Sequence, residues 1–315
     1  MTKKKDLQSL FQEYISYCKH SRKLRSETIR GYRSTFRSFS KIMPEVKYPH
    51  SLTEETMSMF FKRLDTRVRI VGRDTEKSGV KASTSRTYYS KLNSFFEWLR
   101  INKCVKKNPL QDMKAPEVIY DDHKTLDDSD VSKLLTVAKL RSKTPLIRKR
   151  DTAMIITLLS AGLRKGELIG LRVTDVDFES GLLQVRGETS KSKRTRRIPM
   201  HPALEEALEE YIAERNKRPY KSECLFVSNN EDVGLTRHGL KHWVNRYCEL
   251  SGVRFHLHQF RHTFTCNLGR QNTSAIIIQK ALGHTDLRMT QRYLRSMTPE
   301  DLHDDITRLN LAGVS

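Results

Sequence analysis

The feature that most constrains the fold is the nearly all-apolar run from Thr152 to Ser160. A helix of this composition is apolar on every face, so it must lie inside a core. We expect Asp151 to cap this helix and Ala161-Gly162 to end it. Arg164 and Glu167 follow at once, and charged groups beside a core are costly to desolvate unless they are paired. We therefore predict that Glu167 pairs with Arg164 and holds this cation in place.

The charge of the chain is large and unevenly distributed. There are 58 Lys and Arg residues against 37 Asp and Glu residues, a net charge of +21. Residues 1–115 hold 26 basic and 11 acidic side chains, a net charge of +15, and the remainder carries +6. Such a pattern indicates a nucleic-acid partner rather than a merely soluble basic surface.

Helical periodicity predicts an all-helical DNA-binding domain of four to five helices over residues 1–115. Its second helix is expected to follow Ser26 and to carry a basic ridge beside its apolar face, the form suited to a phosphate backbone. The cations of this ridge recur at three- and four-residue steps: Arg30, Arg33, Arg37 and Lys41. We expect the polar segment 65–81 to be a loop and the charged segment 116–124 to be a linker.

A second domain is expected over residues 125–315, with a helix that opens at the acidic run Asp127 to Asp130. It contains the one β signal that we find in the chain: residues 176–178, 182–185 and 196–199 predict a small antiparallel sheet. Residues 203–217 are expected to form an acidic, exposed helix. The predicted fold class is therefore mainly α with a small antiparallel β-sheet, in two domains.

Two further basic stretches are candidate DNA contacts. The tip of the predicted hairpin, residues 189–194, is expected to be a flexible basic finger that carries Lys191 and Lys193. A helix from Arg237 to Leu250 is suited to reading a DNA groove. Its candidate contacts are Arg237, Lys241 and Arg246.

The last quarter of the chain brings together residue types that suit phosphate chemistry. Buried-face spacing of Leu257, Phe260 and Phe264 predicts a helix, and His258 and Arg261 share its adjacent face. Further on, residues 281–283 predict a helix end with Gly283 at the left-handed cap. His284 then falls in the turn, and Tyr293 lies about two turns into the next helix.

Several classes of protein are disfavoured. No apolar stretch approaches the length of a membrane span, and the basic start lacks the hydrophobic region of a signal peptide. The five cysteines are scattered without paired spacing, which argues against a disulfide framework or a zinc site. We expect a reducing, cytoplasmic setting, with association to the nucleoid when the protein is bound to DNA.

Taken in order, these motifs resemble those of the tyrosine recombinase family, which includes phage integrases, Xer-type and Cre-type recombinases and some transposon recombinases. Residues 160–168 resemble the first arginine box, residues 258–262 the second, and residues 282–293 the nucleophile box. The resemblance covers residues 125–300, and the first domain is similar in size and position to the family's core-binding domain. It implies a C-shaped clamp around DNA.

The resemblance also implies a role for each residue. Arg164 and Arg261 would bind the non-bridging phosphate oxygens, His284 would donate a further hydrogen bond, and Tyr293 would be the nucleophile. His258 is the expected general base or proton-positioning group, and Glu167 supports Arg164. The hairpin lysine that protonates the leaving oxygen is assigned to Lys191, with Lys193 as the alternative, because the hairpin is longer than the Gly-Lys-Gly form of many relatives. No metal, ATP or other cofactor is expected.

The implied partners are double-stranded DNA with inverted-repeat core sites and three further copies of the chain, a homotetramer on two duplexes. A C-terminal tail helix, residues 299–311, would pack either into a neighbouring protomer or on its own domain. Accessory proteins are a further class of partner; we expect no accessory-site-binding head and no membrane. The leading hypothesis is integration, excision or transposition of a mobile element. The alternatives are Xer-like multimer resolution, a type IB topoisomerase and a non-catalytic DNA-binding protein.

Overall fold

A computed structural model describes residues 5–71, 75–118, 125–142, 144–190, 193–228 and 232–283 of the chain. The chain divides into two units, residues 1–120 and 121–315. The predictions for Lys191, His284, Tyr293 and the tail helix 299–311 lie outside the described residues.

The first unit is built on amphipathic helices whose apolar faces meet in an aromatic core. Phe11, Phe36 and Phe95 lie at its centre: the first two rings stack with centroids 3.9 Å apart, and Phe95 meets Phe11 edge-on at 5.2 Å. Such ring pairs add specific geometry to the burial of apolar surface. The helices are α1 (Leu7–His20), α2 (Ser26–Ile42), α3 (Glu54–Thr66) and α4 (Ala82–Ile101), with a short 3₁₀ turn at Pro49–Ser51.

The predictions of a loop over residues 65–81 and of an all-helical first domain are both wrong. After α3, the chain forms an antiparallel hairpin of β1 (Val68–Val71) and β2 (Thr75–Ser78), with Ile70 opposite Glu76. The β-branched residues of β1 favour an extended backbone, and this signal is obscured by the charges between them. Gly79 returns the chain to the helices with a φ of +67°, and a Cβ atom there would lie 2.4 Å from the Asp65 carbonyl oxygen.

The second unit is organised around α6 (Pro145–Ala161), as the sequence predicts. Met154, Ile155 and Leu158 of α6 are completely buried, and the helix packs against α5, α8 and α10. The other helices are α5 (Asp128–Leu140), α7 (Lys165–Ile169), α8 (Pro202–Asn216), α9 (Arg237–Ser251), α10 (Leu257–Arg270) and α11 (Ala275–Leu282), with a 3₁₀ turn at Val173–Asp175. The predicted acidic cap of α5 is confirmed, since the Asp127 side chain accepts a hydrogen bond from the Asp130 backbone.

The predicted role of Asp151 as a helix cap is wrong. α6 begins two turns earlier, where the Thr144 hydroxyl accepts a hydrogen bond from the Ile147 backbone. Asp151 lies inside the helix and is buried. Its carboxylate accepts hydrogen bonds from the Arg150 guanidinium, at 2.7 and 2.9 Å, and from the Tyr247 hydroxyl at 2.9 Å. A charged residue that looks like a cap therefore belongs to a buried polar network.

The predicted antiparallel sheet is confirmed. β3 (Val176–Asp177), β4 (Leu182–Val185) and β5 (Arg196–Pro199) pair in the order β3-β4-β5, with Leu183 opposite Ile198. The helix predicted to follow the sheet is α8, but it is exposed on one face alone. Its other face is buried, with Leu204, Leu208 and Tyr211 inward, because these residues recur at helical spacing between the glutamates.

The fold class is thus mainly helical with small antiparallel sheets, and this prediction is confirmed. The boundaries at residues 115 and 125 stay predictions, as does the clamp around DNA. Among the described helices, none combines the length and the apolar character that crossing a membrane requires.

Candidate active site

The turn after α6 fixes the position of Arg164. Gly162 ends the helix with a φ of +55°, and a Cβ atom there would lie 2.3 Å from the Phe264 ring, so the turn requires glycine. Arg164 then begins α7, and the Glu167 carboxylate returns to accept its backbone N–H at 3.0 Å. The same carboxylate accepts a hydrogen bond from Arg164 Nη1 at 3.0 Å. The ion pair predicted from the sequence is present.

Glu167 is shared with a second arginine that the sequence motifs did not single out. Arg196 of β5 donates from Nη2 to Oε2 of Glu167 at 2.8 Å and from Nη1 to Oε1 at 3.3 Å. A third guanidinium, that of Arg261, places its Nη1 atom 3.9 Å from Oε2. The completely buried carboxylate of Glu167 is thus surrounded by cations from α7, β5 and α10.

This environment determines the ionisation of Glu167. Burial favours the neutral acid, but the hydrogen bonds and positive charge of Arg196, followed by those of Arg164, outweigh it and lower the pKa to about 2. The carboxylate is therefore negatively charged at neutral pH. It offsets part of the positive charge at a site where uncompensated guanidinium groups would be costly to bury.

Arg261 lies on α10 with its side chain 1% exposed. Its Nη1 atom donates to the Gly162 carbonyl oxygen at 2.7 Å, and its Nη2 atom donates to that of Leu282 at 2.8 Å. Arg164 Nη1 approaches the same Leu282 oxygen at 3.4 Å. The two arginines that the sequence assigns to phosphate binding therefore converge on one carbonyl oxygen, although they are separated by 97 positions in the chain.

That oxygen belongs to the C-terminal end of α11, where the last carbonyls lack partners within the helix. Arg196 Nε donates to the Ala281 carbonyl oxygen at 2.7 Å, so arginines occupy the carbonyls of both Ala281 and Leu282. Cations are favoured here by the helix dipole as well. The helix ends at Gly283 with a φ of +62°, which confirms the predicted left-handed cap. His284 is the next residue in the sequence.

At Thr189 and Ser190 the tip of the β4–β5 hairpin packs on α7, so the prediction of a flexible, solvated finger over residues 189–194 is wrong for these two residues. Ser190 is completely buried, and a Cβ atom on Gly170 would lie 2.4 Å from Thr189 Cγ2. Gly166 and Gly170 are four residues apart, on one side of α7, and together leave room for the hairpin. Lys193, with a φ of +58°, is exposed.

The structure thus brings together Arg164, Glu167 and Arg261. His258 occupies the first turn of α10 and is exposed, one turn before the buried Arg261. Arg196 was missed, although the sequence contains its signal. In a strand, alternate residues share a face, so Arg196 lies on the same side as the buried Ile198, and an inward arginine needs a buried anion.

Comparison with known proteins identifies the family. The model of the phage integrase family matches residues 124–299, more than half of the chain. The chain belongs to this family. The N-terminal SAM-like domain of phage integrases also matches, over residues 11–103. The chain is therefore a tyrosine recombinase, an enzyme of site-specific recombination.

Curated relatives extend over nearly the whole recombinase. A tyrosine recombinase of Pseudothermotoga lettingae is 26% identical and covers 98% of this chain and 100% of its own. The tyrosine recombinase XerD of Listeria monocytogenes serotype 4b is 29% identical, with 91% of this chain and 94% of the relative covered.

Solved structures show the same fold. The Tn1549 transposon integrase in complex with a circular intermediate DNA has a TM-score of 0.75 at 20% identity, over 95% of this chain and 99% of that one. A lambda integrase dimer bound to a core site has a TM-score of 0.67 at 19% identity, over 91% and 77%.

The candidate DNA contacts of this recombinase lie on α2 and α9. On α2 all four cations of the ridge are exposed, and Arg30 forms an ion pair with Glu27. On α9, Arg237 and Lys241 are exposed. Arg246 is half-buried, and its guanidinium lies 3.5 Å from the Arg141 carbonyl oxygen. Its partial burial and this contact restrict the reach of Arg246 towards DNA.

Proposed function

We propose that this recombinase cleaves and rejoins DNA through a covalent bond between Tyr293 and the 3′-phosphate of the cleaved strand. The observation that carries the proposal is the convergence of Arg164 and Arg261 at the end of α11, immediately before His284 in the sequence. A site with two arginines and a histidine provides the charge and the hydrogen-bond donors that a reacting phosphodiester needs.

In the proposed reaction the phenol oxygen of Tyr293 attacks the phosphorus atom and the bond to the 5′-oxygen breaks. Negative charge grows on the non-bridging oxygens in the pentavalent transition state. The guanidiniums of Arg164 and Arg261 bind these oxygens, and His284 donates a further hydrogen bond. Arg261 then donates to the phosphate part of the hydrogen bonding that it now makes to the backbone carbonyl oxygens of Gly162 and Leu282.

Two protons move in this step. A tyrosine phenol has an ordinary pKa near 10, so a neighbouring group must accept its proton, and His258 is the proposed acceptor. The departing 5′-oxygen receives a proton from the hairpin lysine, Lys191, with Lys193 as the alternative. The phosphotyrosyl bond conserves the energy of the phosphodiester, and a 5′-hydroxyl of the partner strand reverses the reaction without ATP or a metal ion.

The proposed substrate is double-stranded DNA with inverted-repeat core sites, bound by the ridge of α2 and by Arg237, Lys241, Arg246 and Lys193. The proposed assembly is a homotetramer on two duplexes, coupled by exchange of the tail 299–311, in the cytoplasm and on the nucleoid. Accessory proteins would select the direction of reaction.

The biological role that we propose is integration, excision or transposition of a mobile element. It is supported by the long Thr-Ser-Lys-Ser-Lys tip of the hairpin and by the likeness to a transposon integrase. Xer-like resolution of replicon multimers is the second candidate, because curated relatives that cover about nine-tenths of the chain are named XerC and XerD.

The test is capture of covalent complexes. The purified protein is incubated in EDTA with sheared genomic DNA of the organism that encodes it, then denatured, and the DNA that remains bound is sequenced at its junctions. Tyr293→Phe is the matched control, since it removes a single hydroxyl. We expect adducts at a few inverted-repeat sites with the wild-type chain and none with the variant.

Each outcome distinguishes one of the candidates. Sites at the ends of a mobile element support integration or transposition, whereas one inverted-repeat site in the chromosome supports multimer resolution. Adducts scattered along the DNA would indicate a type IB topoisomerase. Adducts that persist in Tyr293→Phe would refute the assignment of the nucleophile, and complete absence of adducts would favour a non-catalytic DNA-binding protein.

A further inference from the structure

Arg196 of β5 binds two other elements of the candidate site, α7 and α11. Its side chain is 8% exposed, and its three nitrogens donate to the Ala281 carbonyl oxygen and to both oxygens of Glu167, at 2.7 to 3.3 Å. A single side chain thus joins β5 to α7 and to the end of α11. The planar fork of arginine can make these contacts together, whereas a lysine ammonium is a point charge on a flexible stem.

The contacts of Arg196 favour a positioning role, because two of its nitrogens bind Glu167, the carboxylate that holds Arg164. Each of its nitrogens already has an acceptor within the protein, and little of the side chain reaches solvent. Arg164 differs, because 21% of its side chain is exposed and its contact with Leu282 is long, at 3.4 Å. Arg196 therefore supports Arg164, the more exposed of the two, through their shared partner Glu167.

The same side chain packs against the residue that precedes His284. A Cβ atom on Gly283 would lie 3.2 Å from both Cδ and Nη1 of Arg196, so the glycine rests directly on the guanidinium. The end of α11 is thus held from two sides: Arg196 binds the Ala281 carbonyl, and Arg261 binds that of Leu282. Both arginines therefore hold the end of α11, which directly precedes His284 in the sequence.

We propose that Arg196 is a positioning residue for DNA cleavage. It orients the Glu167 carboxylate, which holds Arg164, and it anchors the end of α11, directly before His284 in the sequence. The inference rests on the proposed function, since it concerns the geometry of the same phosphate site. A displacement of about 1 Å in such a site lowers the reaction rate on the order of 100-fold, so a residue that never touches the substrate can govern the rate.

Arg196→Lys separates positioning from stability. The lysine keeps a positive charge beside Glu167, which preserves the ion pair, but its one nitrogen cannot also hold the Ala281 carbonyl. Arg196→Met removes both contacts. The matched controls are Arg215→Lys and Arg215→Met. Arg215 is 5% exposed in the same unit and donates to the carbonyl oxygens of Ser222 and Cys224, on elements that carry none of the proposed catalytic residues.

Three quantities are measured for each variant on a duplex that carries a site recovered by covalent capture. They are the single-turnover rate of adduct formation at saturating protein, the Kd for the duplex and the thermal unfolding midpoint. We expect Arg196→Lys to keep the midpoint and the Kd of the wild type while its rate of adduct formation falls on the order of 10- to 100-fold. Arg215→Lys should have the wild-type rate of adduct formation, Kd and unfolding midpoint. Arg215→Met should have a lower midpoint without a comparable fall in the rate of adduct formation.

A wild-type rate of adduct formation in Arg196→Lys would overturn the inference. Arg196→Lys tests the inference even if Arg196→Met does not fold. The inference also fails if the rate falls only in proportion to the folded fraction, as for Arg215→Met. A wild-type chain that forms no adduct on any DNA would instead refute the proposed function, so the two failures are distinguishable.

Discussion

At the scale of single residues, one carboxylate connects the charged groups of the candidate site. Glu167 is completely buried and meets the guanidiniums of Arg164, Arg196 and Arg261, which come from separate elements. Its removal would leave buried cations uncompensated, which is far more damaging than the loss of a surface ion pair.

We expect Glu167→Gln to lower the free energy of unfolding by about 3 to 5 kcal/mol, because a buried ion pair loses one partner. Adduct formation should fall as well, since Arg164 loses its support. Urea unfolding followed by circular dichroism gives the first quantity. Asp175→Asn is the matched control: Asp175 is a buried carboxylate paired with Arg186, so this variant should lose stability but retain the rate of adduct formation.

The stability that Glu167 contributes should depend on pH. Its folded pKa of about 2 lies below its ordinary value of 4.5, so the contribution is fully present above pH 4.5 and is lost as the pH falls towards 2. The size of the pKa difference corresponds to about 3 kcal/mol. The gap in unfolding free energy between wild type and Glu167→Gln should therefore narrow over this range. A gap that stays constant down to about pH 2.5 would contradict the assigned ionisation.

At the scale of elements, the sequence predicted those whose signals are local. The apolar run of α6, the acidic cap of α5 and the alternation of β4 and β5 needed no tertiary information. The start of α6 was missed because Asp151 has the side chain of a good cap and stands directly before the apolar run. The true start carries its own signal, a threonine followed by proline at the first helical position. The buried contact of Asp151 with Tyr247 distinguishes the two candidate starts, and it joins distant parts of the chain.

The two interpretations of Asp151 predict opposite results for one substitution. Asparagine caps helices as well as aspartate does, so Asp151→Asn would be nearly neutral at a cap. In the buried network it leaves Arg150 without its charged partner, and we expect a loss of about 3 kcal/mol or more. Thr144→Ala at the observed cap should cost about 1 kcal/mol. Chemical denaturation measures the loss of unfolding free energy in each variant. A smaller loss in Asp151→Asn than in Thr144→Ala would contradict the structure.

At the scale of the whole molecule, charge and catalytic residues are divided between the two units. The first unit carries most of the net positive charge, and the second carries the candidate site. Sequence motifs located Arg164, Glu167 and Arg261 because residue type and order identify them. Strand alternation signals that Arg196 points inward, but residue order does not reveal its partners on α7 and α11 or the packing of the hairpin tip on α7, because these contacts join distant parts of the chain.

We expect the ridge of α2 to bind phosphates without regard to sequence. The triple variant Arg33→Gln, Arg37→Gln, Lys41→Gln should reduce the dependence of log K on log salt by about 0.9 for each phosphate that the variant no longer neutralises. Affinity should fall by similar factors on cognate and unrelated duplexes. The control removes the same charge from the exposed segment after α4, at Lys103, Lys106 and Lys107. Equal slopes for the two triple variants would show that net charge, rather than the ridge, governs binding.

The central claim is that Tyr293 forms a bond to the 3′-phosphate of cleaved DNA. Its most direct test is mass spectrometry of the denatured covalent complex after digestion with nuclease and trypsin. Cleavage after Arg292 and Arg295 releases the peptide Tyr293–Arg295. We predict that this peptide carries the nucleotide through its 3′-phosphate and that the released DNA ends bear 5′-hydroxyls. A nucleotide on any other residue, or a link through a 5′-phosphate, would contradict the account.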